Sequence, residues 1–144
     1  MNDTSMPVPG IQPPSLSVSD VQRGIGEASA VFHAGAEHLN MKGMLHGGII
    51  AGLMDVIMAI AAGSHPEPAQ RQFSITLSMS MNFIGSAAAE PLYLKAKTTG
   101  GGRRTAFLEA RIENAGGDPI ATAQGAFKLM QAGSEFREKD PPTA

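Results

Sequence analysis

The chain contains no cysteine among its 144 residues. That excludes a disulfide framework, a thiolate nucleophile and any cysteine-based metal centre, and it fits a reducing compartment. Net charge is also scarce, at −2, which argues against a general nucleic-acid binder. The first residues, Met1 to Pro7 (MNDTSMP), lack a basic stretch followed by an apolar run, so no secretory signal is read there. The most apolar segment, Ile49 to Ala62, is too short for a membrane span and carries Asp55. These absences leave a soluble, cytoplasmic protein as the expectation. What is present, 42% apolar and 17% charged residues, is the composition of an ordinary globular protein rather than a disordered one. The length suits one domain with a sizeable core.

Six of the ten prolines lie in the two ends of the chain. Their placement predicts a flexible arm over residues 1–19, with a short helix near Ser19–Arg23, a folded body over 20–130 and a flexible tail over 131–144. Inside the body, Gly24 to Ala34 alternates weakly and is expected to be a strand. A loop through His38, Asn40 and Gly43 leads to a helix from Gly47 to Ala62, stopped by Gly63. Because that helix is apolar nearly all round, it is expected to be buried and central. Phe73 to Phe83 alternates most clearly. Phe73, Ile75, Leu77, Met79, Met81 and Phe83 are predicted on one face and Ser74, Thr76, Ser78, Ser80 and Asn82 on the other. Leu92–Thr98, Thr105–Glu113 and Ile120–Met130 complete the strands, the last two joined by the turn Asn114–Pro119. Strand, helix and four closely connected strands imply an α+β fold in which an antiparallel sheet wraps one apolar helix.

Chemistry concentrates in His46-Gly47-Gly48 and Asp55. Unpaired N–H groups at a helix start sit at the positive end of its dipole, and glycines let an oxygen approach them closely. A carboxylate within an apolar helix is costly to desolvate and needs a partner or a purpose. The set is an oxyanion-type donor with a candidate base. His46 and Asp55 are nine residues apart, which is about 900° of rotation and about 13 Å of rise. The two ends therefore leave opposite faces of the helix, and the natural solution is a composite site at a two-fold dimer interface.

Asn40, His46-Gly47-Gly48 and Asp55, followed by the strand ending Met81-Asn82-Phe83, resemble the hotdog-fold thioesterases. They resemble in particular the His-Gly-Gly acyl-CoA thioesterases of the phenylacetate-degradation type. The resemblance spans about residues 24–130. It implies a hotdog fold, a homo-oligomer such as a homotetramer, an acyl-CoA substrate, and no cofactor beyond the coenzyme A of the substrate itself. It assigns Gly47 N–H to the thioester carbonyl, Asp55 of a second chain as general base or nucleophile, and Thr76 to orient the water or the carboxylate. Asn40 would bond the water or thioester, His46 would shape the turn and assist the chemistry, and Gly48 would line the substrate. The chain departs from the family at Ile84 to Ala87, where a basic residue and proline are common.

Each residue also has a plainer reading. Asp55 could be a satisfied structural carboxylate, the glycine pair could serve close helix–sheet packing, and His46 could only cap the turn. Thr76 could be an ordinary strand-face residue, and Asn40 could hold its own backbone. The basic turn Gly100-Gly-Gly-Arg103-Arg104 suits coenzyme A phosphates, and a solvated hairpin explains it equally. His33, His38 and His65 show no metal-site spacing and read as surface or loop residues. The rival readings are a hotdog hydratase or dehydratase, a non-catalytic acyl-CoA-binding module, and a structural dimerisation domain.

Overall fold

The computed structural model describes residues 15–130. Six strands and one long helix make up the fold. They are β1 (Ser19–Gly24), β2 (Glu27–His33), α1 (Gly47–Ala62), β3 (Ser74–Phe83), β4 (Pro91–Gly101), β5 (Thr105–Glu113) and β6 (Pro119–Leu129). The strands form one antiparallel sheet in the order β1-β2-β4-β5-β6-β3, so β1 and β3 are its edges. The expected α+β architecture, a sheet around a single helix, is what the chain adopts. Among the described residues no helix is long and apolar enough to cross a membrane.

Two strands precede the helix rather than one. Ser19–Arg23, expected to be a short helix, belongs to β1, because the Ile25-Gly26 turn folds it back onto β2. Gly26 has φ +67 and its backbone is bonded to both Ser64 and Thr98, a conformation that glycine adopts without a Cβ penalty. A lone five-residue helix gains too little to compete with that ladder. The last part of the expected arm is also ordered: Leu16 and Val18 are partly buried against the core. Residues 1–14 and the tail 131–144 lie outside the described residues.

The core is the buried stripe of α1, Ile49, Ile50, Leu53, Met54, Ile57, Met58 and Ala61, set against the inward rows of the sheet. In β4 and β5 every second residue is buried, Leu92, Leu94 and Ala96 facing Ala106, Leu108, Ala110 and Ile112, as a strand with one solvated face requires. The helix is not buried all round within one chain. The sheet covers one side only, and Gly48 is exposed while Ala51, Gly52, Asp55 and Ala59 are partly buried. The apolar character of α1 exceeds what its own sheet can cover.

The phase of β3 also departs from simple alternation. A register shift against β6 falls between Thr76 and Ser78. An extra residue in a strand exchanges its two faces. Ser74 and Thr76 face the helix before the shift, whereas Met79 and Met81 pack on the core after it. Ile75, Leu77 and Phe83 are left exposed on this edge strand. The apolar row expected on one face is therefore split between two.

Gly63 ends α1 as expected, and for a steric reason beyond capping. A Cβ built there would lie 1.9 Å from the Gln72 carbonyl oxygen, and Gln72 N–H bonds back to the Gly63 carbonyl at 3.0 Å. Gly63→Ala is expected to lower stability by about 1–3 kcal/mol, the scale of overpacking strain. Urea unfolding with an unchanged m-value checks it.

Candidate active site

The turn that feeds the helix is built by Asn40. Its Oδ1 accepts from Lys42 N–H at 2.9 Å and Met44 N–H at 3.1 Å, and its backbone closes the loop through Met44 and Gly43. Gly43 takes φ +73. The plainer reading of Asn40 is thus realised at its oxygen, while its side-chain N–H₂ has no partner among the described residues. His38 is corrected: it is 3% exposed, not a surface residue. Its Nδ1 accepts from Gly35 N–H at 2.9 Å, so Nε2 carries the proton and donates to the Ser15 carbonyl at 3.0 Å. Its ring meets Phe32 edge-on at 4.9 Å. The sequence holds no spacing signal for that role, because Ser15 and His38 meet only in the tertiary fold. His33 is exposed, and His65 uses Nδ1 to accept from Glu67 N–H. Among the described residues no cluster of three acidic or histidine side chains could hold a metal ion.

His46 is the N-cap residue, extended at φ −60 and ψ 137, and its carbonyl accepts from Ile49 and Ile50. Its side chain is exposed and makes no cap bond. Gly47 and Gly48 follow as the first helical residues, and their N–H groups are unpaired among the described residues, as helix geometry dictates. Within one chain, close helix–sheet packing does not require either glycine. A Cβ on Gly48 would meet nothing within 4 Å, and one on Gly47 would make ordinary contact with the Phe83 ring at 3.5 Å. Phe83, beside Gly47, is itself exposed.

Asp55 emerges from the partly uncovered side of the helix and is itself partly buried. Thr76 Oγ1 donates to its Oδ1 at 2.5 Å; the other carboxylate oxygen has no partner among the described residues. Ser74, two residues earlier, ties β3 to α1 by donating to the Ala59 carbonyl at 2.9 Å. β3 runs antiparallel to the helix, with Thr76 beside Asp55 and Phe83 beside Gly47. Gly47 and Asp55 are eight residues apart, about 12 Å along the axis. One chain therefore does not bring its own donor and carboxylate together.

Arg103 and Arg104 form the exposed β4–β5 turn, where Gly101 takes φ +120. Leu129 N–H bonds to the Arg104 carbonyl, and Leu129 pairs with Ser74. The turn therefore lies at the Ser74 end of β3, away from Gly47 of the same chain. A depression of about 900 Å³ on the outer face of the sheet is a different place altogether. Three of the four cations that line it are ion-paired, Lys97 with Glu109 at 3.2 Å, and Lys95 and Arg111 with Glu113 at 3.8 and 2.5 Å, which makes it a solvated, largely ion-paired surface.

Residues 42–121, from the turn before the glycine pair through β5 into β6, match the family model of the thioesterase superfamily. The chain belongs to the thioesterase superfamily. This is a family of thioester hydrolases, and the hotdog fold is its architecture here. A provisionally named esterase of Archaeoglobus fulgidus is 31% identical over 109 residues, covering 75% of this chain. The chain spans 64% of that relative's length. Among solved structures, a conserved protein of Pseudomonas aeruginosa superposes with a TM-score of 0.71 at 29% identity, over 80% of this thioesterase-family chain and 90% of the other. A hypothetical thioesterase of Streptococcus pneumoniae, solved with coenzyme A, has a TM-score of 0.67 at 21% identity, over 81% and 86% of the two chains.

Proposed function

We propose that this protein hydrolyses an acyl-CoA thioester to the free acid and coenzyme A, as a soluble cytoplasmic homo-oligomer that needs no further cofactor. The observation that carries the reading is Asp55, a partly buried carboxylate with one oxygen held by Thr76 and the other open. Asp55 takes a proton from water as the water oxygen attacks the thioester carbonyl carbon. The carbonyl oxygen gains negative charge, which Gly47 N–H, and Gly48 beside it, stabilise at the helix start. Collapse of that intermediate breaks the C–S bond, and coenzyme A leaves as the thiolate or thiol. Direct attack by the carboxylate, followed by hydrolysis of the anhydride, uses the same residues. The side-chain N–H₂ of Asn40 holds the water or thioester, and His46 shapes the turn.

The site is composite, with the glycine donors from one copy and Asp55 with Thr76 from a second. Support comes from β3, an edge strand with exposed Ile75, Leu77 and Phe83, the kind of edge that invites another chain. Antiparallel pairing of two such strands along their length sets Ser74 opposite Phe83 of a second copy. That moves Asp55 of one copy toward Gly47 of the other. The same reversal carries Arg103 and Arg104 toward the donor end of the second copy, where they meet coenzyme A phosphates. Coenzyme A on the Streptococcus pneumoniae protein of the same fold agrees with this substrate class. Pairs of dimers complete a homotetramer.

Mixing tests the composite site. Asp55→Asn and Gly47→Pro chains, each inactive alone, are expected to recover about a quarter of wild-type thiol release after denaturation and joint refolding, since half the random dimers hold one intact site. No recovery would place both groups in one subunit. Tight acyl-CoA binding without any hydrolysis by wild type would favour a binding module instead.

A further inference from the structure

Gly52 lies on the partly uncovered side of α1, one turn after Gly48 and three residues before Asp55, and what covers it is Leu16. A Cβ built on Gly52 would fall 2.6 Å from Leu16 Cδ1. Leu16 is partly buried and belongs to the segment that enters β1. That segment is held at both ends. Ser15 gives its carbonyl to Nε2 of the buried His38, and Val18 packs on the core just before β1 begins. The helix itself offers little bulk on that side between the donors and the carboxylate: Gly48, Ala51 and Gly52 carry at most a methyl group. One apolar side chain, fixed from outside the helix, thus fills space over Gly52 that the helix residues leave.

We infer that Leu16 is a specificity-determining residue, an apolar wall that sets the size of the acyl group accepted beside Gly48 of its own chain, where Asp55 of the second copy completes the site. The inference rests on the thioesterase reading above. An acyl chain is the apolar part of the proposed substrate, whereas the pantetheine amides and phosphates call for polar partners, so an apolar wall discriminates among acyl groups. Gly52 permits the wall to stand this close. Truncating Leu16 opens space along the helix, and enlarging it closes that space.

The experiment compares kcat/KM for octanoyl-CoA and acetyl-CoA in wild type, Leu16→Ala and Leu16→Phe, with Leu16→Val as a milder truncation should the alanine chain fail to fold. The octanoyl-to-acetyl ratio is expected to rise about tenfold in Leu16→Ala, less in Leu16→Val, and to fall about tenfold in Leu16→Phe, the scale of pocket discrimination by one or two carbon groups. A merely structural Leu16 would lower both substrates together and leave the ratio unchanged. An unchanged ratio, or one moving the same way in the truncated and enlarged chains, overturns the inference while hydrolysis by wild type keeps the thioesterase reading standing. Absence of hydrolysis of either acyl-CoA by wild type removes both.

Discussion

Replacing Asp55 by asparagine is expected to lower kcat for acyl-CoA hydrolysis at least about 100-fold, the contribution of a positioned general base. That corresponds to about 2.7 kcal/mol of transition-state stabilisation. Asparagine matches aspartate in shape, and its Oδ1 still accepts the bond that Thr76 donates in the native protein. The substitution therefore removes the basic oxygen and leaves the packing. Thermal unfolding should shift by only a few degrees, and acyl-CoA binding should persist. Thiol release measured alongside the unfolding midpoint separates chemistry from folding. An Asp55→Asn chain with full activity would eliminate Asp55 as base and as nucleophile alike, leaving a carboxylate satisfied by Thr76 and nothing more.

The second large effect is expected from Gly47→Pro. Proline is favoured at the first helical position, where its fixed φ suits the helix and its missing N–H has no intrahelical partner. The residue before it must be extended, and His46 already is, at ψ 137. A Cβ at position 47 meets the Phe83 ring at an ordinary contact distance of 3.5 Å. Helix α1 should therefore form normally in the variant, with a single backbone donor deleted. Loss of one oxyanion donor costs about 100- to 1,000-fold in kcat. Gly47→Ala, which keeps the N–H and adds only the Cβ, controls for the side chain at that position and should retain most activity. Equal losses in the proline and alanine chains would mean that space, not the donor, is what position 47 supplies.

Much of this was legible in the chain because it is local. The extent of α1, from the glycine pair to the Gly63 stop, follows from an apolar run bounded by residues that open and close helices. The strands Thr105–Glu113 and Pro119–Leu129 follow from period-two alternation and a strong turn between them. The candidate base stands out because a lone carboxylate in such a helix is expensive, and nine residues of spacing already separate it from His46 across the axis. Other features depend on pairing and could not be read so. Ser19–Gly24 is a strand because β2 is available to it, not because its own residues prefer one. The register shift after Thr76 turns Ser74 and Thr76 toward the helix and leaves Ile75 and Leu77 outside. A shift of that kind is a property of two strands together, so alternation within one strand assigned the wrong face. His38 shows the same limit, since its partners are Gly35 nearby and Ser15 across the fold. By itself the sequence determined the helix, its donors and its carboxylate, all consequences of short-range periodicity and of the cost of burying charge. Only the tertiary structure decided which side of that helix stays open, that Thr76 meets Asp55 there, and that Leu16 closes over Gly52. These contacts join segments far apart in the chain, and long-range packing, not local preference, sets them.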